Sequence, residues 1–119
     1  MRSGSKQSAE AIAPLVLDWI NPQTVVDVGC GDGTWLSIFE ANGIENFLGI
    51  DGSYVDLELL QIPQNCFMAY DLSQPLPSDR TFDLAVSLEV AEHLPAASAP
   101  GFVNSLTQLS PIVLRGDSS

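Results

Sequence analysis

Residues 25–33 read Val-Val-Asp-Val-Gly-Cys-Gly-Asp-Gly, and no other segment of the chain constrains its architecture as strongly. The run of β-branched residues at its start is typical of a short strand buried on both faces, as in a parallel sheet. Three alternate glycines follow, and residues 34–41 then carry apolar side chains at helical spacing. The segment therefore predicts a buried strand, a sharp glycine-rich turn and a helix.

Strand and helix patterns alternate through the rest of the chain. Further strands are predicted at residues 47–50, 66–70, 82–88 and 111–114, and helical segments at residues 9–20, 54–61 and 99–109. Pro14 lies inside the first helical segment, so that helix either kinks or begins there. Residues 1–8 are expected to form a flexible tail. Strands that alternate with helices predict right-handed crossovers, a parallel sheet and a Rossmann-like α/β fold.

The composition predicts a single globular domain with a strong negative charge. The 119 residues are 45% hydrophobic and carry 15 acidic side chains against 4 basic ones, a net charge of -11. No nucleic-acid partner is expected, because basic side chains are needed to neutralise phosphates. The two cysteines are isolated and no His/Cys cluster appears, so no metal site is predicted. With no signal-peptide pattern and no transmembrane run, we expect a cytoplasmic protein without a membrane partner.

The three glycines exceed what a plain strand-to-helix turn requires, since one glycine usually suffices for such a turn. Glycine is favoured where a ligand lies against the main chain, and the N–H groups that begin the next helix favour a carboxylate or another anion. A dinucleotide fingerprint would place its third glycine at position 34, where this chain has Thr34. A nicotinamide-dependent oxidoreductase fragment is therefore the less favoured interpretation.

The Gly-x-Gly-x-Gly pattern, with an acidic residue two positions before its first glycine, resembles motif I of class I S-adenosylmethionine (SAM)-dependent methyltransferases. The resemblance covers roughly residues 24–114. It implies a doubly wound sheet of five mainly parallel strands in the order 3-2-1-4-5, SAM as cofactor and a small-molecule methyl acceptor. The cofactor-binding residues that it implies in this segment are Asp27, Gly29, Cys30, Gly31 and Gly33.

Two further aspartates follow predicted strands. Asp51 ends the second strand, 18 residues beyond Gly33, where a carboxylate in a doubly wound fold accepts hydrogen bonds from ribose hydroxyls. The resemblance implies the same role for Asp51, with Gly52 allowing the ribose to approach closely. It also implies that Asp71 and Leu72 hold the adenine ring. The alternative interpretations are a surface aspartate at position 51 and an aspartate that opens a proline-rich loop at position 71.

Residues 82–94 resemble the fourth-strand motif of the same family, and they include the sequence Glu-Val-Ala-Glu-His-Leu. By that resemblance, Leu88 and Glu89 border the methionine end of the cofactor. Methyl transfer depends mainly on positioning, and a base is needed only when the acceptor must lose a proton. The candidate bases are Glu89, Glu92 and His93, although a helix-capping or packing role for His93 is an open alternative.

Family members usually continue past the fifth strand with a helix and strands six and seven, which this chain lacks. We therefore expect residues 9–119 to form an incomplete SAM-binding domain. The fifth strand would then be an exposed apolar edge that pairs with a partner or a second copy of the chain. The alternative to a methyltransferase domain is a non-catalytic fragment that binds the cofactor or serves as an interaction module.

Overall fold

A parallel five-stranded sheet forms the centre of the computed structural model, which describes residues 2–72, 74, 76, 80–87 and 99–115. The helices are α1 (Arg2–Ile20), α2 (Thr34–Ala41) and α3 (Ala99–Leu109). The strands are β1 (Thr24–Val28), β2 (Asn46–Asp51), β3 (Phe67–Ala69), β4 (Leu84–Ser87) and β5 (Val113–Arg115). Short 3-10 turns occur at Leu57–Leu59 and Gln64–Cys66.

The strand order is β3-β2-β1-β4-β5, and every neighbouring pair is parallel. The predicted fold class and strand order are therefore confirmed. In the central pairings, Val26 lies opposite Leu48 of β2 and Ala85 of β4. The chain reverses its direction of winding between β1 and β4, which creates the crevice at the carboxyl ends of the strands where ligands bind in open α/β sheets.

Helices cover both faces of the sheet, and alternate residues of each strand point to opposite faces. Val25 of β1 packs with Ala13 of α1 and Phe39 of α2 in one cluster, whereas Val26 packs with Leu106 and Leu109 of α3 in the other. Because β1 is buried on both faces beyond Thr24, residues 25–28 are apolar except for Asp27. Among the helices of the described residues, none is both long and apolar enough to cross a membrane.

The first helix begins earlier than its predicted bound. α1 starts at Arg2, inside the segment predicted as a tail, and Pro14 lies in its interior. Ala9 and Ala13 are fully buried against the core, and extending an established helix adds one hydrogen bond for each residue fixed. The helix ends at Ile20, followed by Asn21 at a left-handed φ of 52° and then Pro22, as the Asn-Pro pair predicts.

The segment between β2 and β3 departs from its prediction. Of the helical stretch predicted at residues 54–61, only the 3-10 turn at Leu57–Leu59 forms. Asp56 caps that turn by accepting a hydrogen bond from the Glu58 N–H at 3.0 Å. The turn has no buried residue, and a short helix without an apolar face to bury gains too little to extend.

Candidate functional site

The loop that joins β1 to α2 is shaped by backbone conformations that favour glycine. Gly29, Gly31 and Gly33 have φ values of 82°, 57° and 85°, which lie in the left-handed region. At Gly33 an added Cβ would also lie 2.9 Å from Cγ1 of Ile62. Because a side chain would be strained there, the loop presents bare main chain at the carboxyl edge of the sheet.

Hydrogen bonds fasten this loop to the end of β2. The Gly29 N–H donates to the Ile50 carbonyl at 2.6 Å, and the Cys30 N–H donates to the same oxygen at 3.3 Å. The Gly31 N–H donates to Oδ2 of Asp51 at 2.8 Å. Two predicted elements of the site, the glycine loop and the carboxylate of Asp51, are therefore in direct contact.

The start of α2 is capped by a residue that sequence reasoning did not single out. Asp32 Oδ1 accepts hydrogen bonds from the Thr34 N–H at 3.1 Å and from the Thr34 hydroxyl at 2.6 Å. The Asp32 carbonyl also accepts from the Gln61 N–H at 2.6 Å. The Thr34 N–H at the start of the helix is therefore satisfied within the chain, because an Asx side chain reaches the N–H two residues ahead.

Asp51 accepts hydrogen bonds on both of its carboxylate oxygens. It is 4% exposed, and its Oδ1 accepts a hydrogen bond from the Gly52 N–H at 2.8 Å and another from the Tyr54 hydroxyl. Sequence reasoning missed Tyr54. The available signal for Tyr54 was its position three residues after Asp51. A turn in which the Val55 N–H donates to the Gly52 carbonyl brings positions 51 and 54 together.

Buried negative charge surrounds the glycine loop. Asp27 and Cys30 are 3% and 4% exposed. Burial raises the pKa of the Cys30 thiol far above its ordinary value, and the carboxylates of Asp27, Asp51 and Asp32 raise it further. Cys30 is consequently a neutral thiol rather than a nucleophile, and its surroundings favour a cationic group over an anionic one.

Three further predicted site residues follow β2 and β3. Asp71 follows β3 by two residues and is exposed, whereas the Leu72 side chain is buried in the core cluster on the α3 face. Gly52 is buried beside Asp51. The predicted residues Leu88, Glu89 and His93 lie outside the described residues.

Ser87, the last residue of β4, is a third residue that sequence reasoning missed. It is 1% exposed, and its hydroxyl has no hydrogen-bond partner within the part of the chain that the structure describes. A polar residue at the carboxyl end of an otherwise apolar strand was the available signal. Because β4 is parallel to β1, Ser87 lies at the same edge of the sheet as the glycine loop.

Comparisons with known proteins agree with this geometry. The sequence profile of a family described as "Methyltransferase domain" matches residues 5–111. A curated relative, the ubiquinone biosynthesis O-methyltransferase of Neisseria meningitidis, is 29% identical over 114 residues, covering 82% of this chain and 47% of the relative. The chain thus spans about half the length of that relative.

Two solved structures have closely similar folds. The methyltransferase domain of the bacterial protein CtHen1-C has a TM-score of 0.74 at 25% identity, over 93% of this chain and 64% of that one. Magnesium protoporphyrin IX methyltransferase from Synechocystis PCC 6803, solved with bound SAM, has a TM-score of 0.70 at 28% identity, over 92% and 56%.

Proposed function

Because the chain belongs to the family of methyltransferase domains, we propose that it binds SAM and supports methyl transfer to a small-molecule acceptor. The observation that carries the proposal is the contact between the glycine loop and Asp51. This buried carboxylate is held at 2.8 Å by the Gly31 N–H, at the point of the sheet where a ribose binds in doubly wound folds.

The residues present also fit the rest of the cofactor. The acidic surroundings of the loop suit the ammonium and sulfonium charges of SAM, and they disfavour a pyrophosphate. The left-handed main chain at half-buried Gly31 carries no side chain that would obstruct the methionine end. These charges and Thr34, where a dinucleotide fingerprint requires glycine, argue against the nicotinamide-dependent alternative.

The predicted contacts divide the cofactor into three parts. Asp51 and Gly52 would hold the ribose, Asp71 and Leu72 the adenine ring, and the loop from Asp27 to Gly33 the methionine end, with Leu88 and Glu89 bordering it. When bound, SAM supplies a methyl group on a positively charged sulfur that is already activated as a leaving group. Glu89 or His93 would act as base only for an acceptor that must lose a proton.

Similar proteins support a small-molecule acceptor, and the curated relative supports methylation on oxygen. The curated relative is an O-methyltransferase of ubiquinone biosynthesis, and the Synechocystis enzyme acts on magnesium protoporphyrin IX. The chain spans 47% and 56% of these two proteins, so the proposal stops at the chemical class of the acceptor.

We further propose a cytoplasmic location, no nucleic-acid partner and self-association through the edge of β5. The location is supported by two unpaired cysteines, and the lack of a nucleic-acid partner by the net charge of -11. Self-association is supported by the position of β5, which among the strands that the structure describes pairs only with β4 and is preceded by Ile112, 42% exposed.

Calorimetry with S-adenosylhomocysteine tests the cofactor, and transfer from methyl-labelled SAM to a panel of phenols and carboxylates tests the activity. We expect saturable one-to-one binding and label in a small-molecule acceptor. If the folded protein binds neither SAM nor S-adenosylhomocysteine, the proposal is wrong. Binding without transfer to any acceptor would instead favour the non-catalytic cofactor-binding fragment, and tight NAD binding the nicotinamide alternative.

A further inference from the structure

The carboxylate of Asp51 has limited room for new hydrogen bonds. An ionised carboxylate offers about four lone-pair positions, two on each oxygen. Oδ2 uses one position for the Gly31 N–H at 2.8 Å, so one remains. Oδ1 uses both, one for the Gly52 N–H at 2.8 Å and one for the Tyr54 hydroxyl. A ligand with two adjacent hydroxyls needs two positions, and only one is open.

The ring of Tyr54 lies against the main chain beside Asp51. A Cβ built on Gly52 would collide with this ring and would lie 3.0 Å from its Cζ atom, so the absence of a side chain at Gly52 lets the ring lie directly on the main chain. This packing places the Tyr54 hydroxyl on Oδ1 of Asp51, where it takes an acceptor position predicted for the sugar.

Of the three partners on Asp51, Tyr54 is the one that can leave at low cost. The other two donors are main-chain N–H groups, one from half-buried Gly31 in the loop after β1 and one from buried Gly52 after β2. Tyr54 is 73% exposed and lies in a segment where Ser53 and residues 56–59 are also exposed. Rotating its side chain outward breaks one hydrogen bond and does not require the sheet to move.

We propose that the Tyr54 hydroxyl is a placeholder for one hydroxyl of the cofactor ribose, and that cofactor binding displaces it from Asp51. In the free protein Tyr54 keeps the buried carboxylate hydrogen-bonded. In the complex a ribose hydroxyl takes over the same acceptor position on Oδ1, while the second hydroxyl uses the open position on Oδ2. The inference rests on the proposed cofactor and adds a residue that sets its affinity.

If a ribose hydroxyl displaces the Tyr54 hydroxyl from Asp51, removing the Tyr54 hydroxyl should strengthen ligand binding. If Tyr54 instead contacted the ligand, the same change should weaken binding. Tyr54→Phe keeps the ring and removes the competing donor, so S-adenosylhomocysteine should bind about 3- to 10-fold more tightly. An analogue without the displacing hydroxyl leaves Tyr54 in place. Its affinity should therefore be the same for both proteins, within about twofold, because the competing donor no longer matters.

The experiment is calorimetry of S-adenosylhomocysteine and its 2′-deoxy and 3′-deoxy analogues with the wild type, Tyr54→Phe and Leu59→Ala. Leu59 is 62% exposed in the same segment, so its variant controls for general loosening. We expect tighter binding of the parent ligand only in Tyr54→Phe, and loss of that gain with one deoxy analogue. Thermal unfolding verifies that each variant is folded.

The outcomes separate this inference from the proposed function. Unchanged or weaker binding of the parent ligand by Tyr54→Phe overturns the placeholder role while leaving cofactor binding intact. An equal gain for all three ligands, or an equal gain in Leu59→Ala, also overturns it, because the hydroxyl exchange would not be the cause. If none of the folded proteins binds the parent ligand, the proposed cofactor itself is wrong.

Discussion

Two aspartates at opposite edges of the sheet make similar hydrogen bonds in different surroundings. At the amino edge, Asp83 Oδ2 accepts from the Gln23 N–H at 2.8 Å and from the Thr24 N–H at 3.3 Å. The Asp83 N–H in turn donates to the Thr24 hydroxyl at 2.8 Å. At the carboxyl edge, Asp51 likewise accepts from two main-chain N–H groups.

The difference lies in burial and in the neighbouring backbone. Asp83 is exposed and ties the start of β1 to the start of β4, with a reciprocal bond to Thr24. Asp51 is 4% exposed, lies against left-handed glycines and carries an exchangeable side-chain donor in Tyr54. Main-chain hydrogen bonds are therefore common to both carboxylates, whereas burial beside left-handed glycines is found at Asp51, which we propose binds the ribose, and not at Asp83.

Glycines at the two ends of α2 give the largest expected effect. Gly33 at the carboxyl edge and Gly43 toward the amino edge both have positive φ, but only Gly33 would place an added Cβ against another residue, Ile62. Gly33→Ala should lower the free energy of unfolding by about 2–4 kcal/mol, which combines backbone strain and overpacking. Gly43→Ala should cost about 1 kcal/mol from strain alone. Urea unfolding measures the free energy of unfolding of both variants. Equal losses of stability would show that the Ile62 side chain moves aside from the added Cβ at no measurable cost.

The two carboxylates are compared directly by alanine substitution. Asp51→Ala should weaken S-adenosylhomocysteine binding by about 1–3 kcal/mol, because buried donors and ribose hydroxyls lose their acceptor. Asp83→Ala should leave that affinity unchanged and lower stability by about 1 kcal/mol, since two main-chain N–H groups lose a partner near solvent. Calorimetry and urea unfolding on both variants provide the values. A similar loss of affinity in Asp83→Ala would contradict the distinction between the edges.

Thiol reactivity tests the environment of the glycine loop. Cys30 is buried, and burial together with the neighbouring carboxylates holds the pKa of its thiol far above the ordinary value, whereas Cys66 is half-buried. Iodoacetamide at pH 8 should alkylate Cys66 at least about tenfold faster than Cys30, because the thiolate is the reactive form. Peptide mass spectrometry over time measures the two rates. Comparable rates in the folded protein would mean that the loop opens readily.

The smallest expected effect concerns the titration of Tyr54. Burial raises the pKa of this phenol to about 12, and its hydrogen bond to Asp51 adds to the rise. Since this pKa lies above the ordinary value of 10.0, the stabilising contribution is complete below pH 10 and is lost as the pH rises towards about 12. NMR titration of labelled tyrosine should show one resonance with this raised pKa in the wild type, and that resonance should be absent in Tyr54→Phe. Saturation with S-adenosylhomocysteine should move the pKa back towards 10, and an unmoved value would contradict displacement.

Sequence reasoning predicted the elements whose residues carry a strong local signal. The bounds of α2 and α3 agree with the prediction, and β1 differs by one residue at its start, because β-branched runs and helical spacing are local properties. β3 and β4 are shorter than predicted. Parallel strands hydrogen-bond only over the length that they share with their neighbours, and no local pattern encodes that length.

The residues of the candidate site also divide into those that a local sequence pattern identified and those that it did not. The glycines and Asp51 were identifiable because each follows a recognisable strand. Asp32, Tyr54 and Ser87 were not, since their roles depend on where the neighbouring main chain and side chains come to lie. Tyr54 in particular follows Asp51 in an exposed segment whose predicted helix is mostly absent, so helical periodicity gave the wrong geometry for it.

The amino-acid sequence by itself determined the order of strands and helices, the left-handed glycine turn and the carboxylates that follow the strands, because hydrophobic period and backbone sterics act over a few residues. Only the tertiary structure decided which of those carboxylates is buried, which main-chain N–H groups it accepts from and which side chain completes its hydrogen bonds. Those properties arise from contacts between segments distant in the chain. The pairing of Gly31 with Asp51, 20 residues apart, is the clearest example.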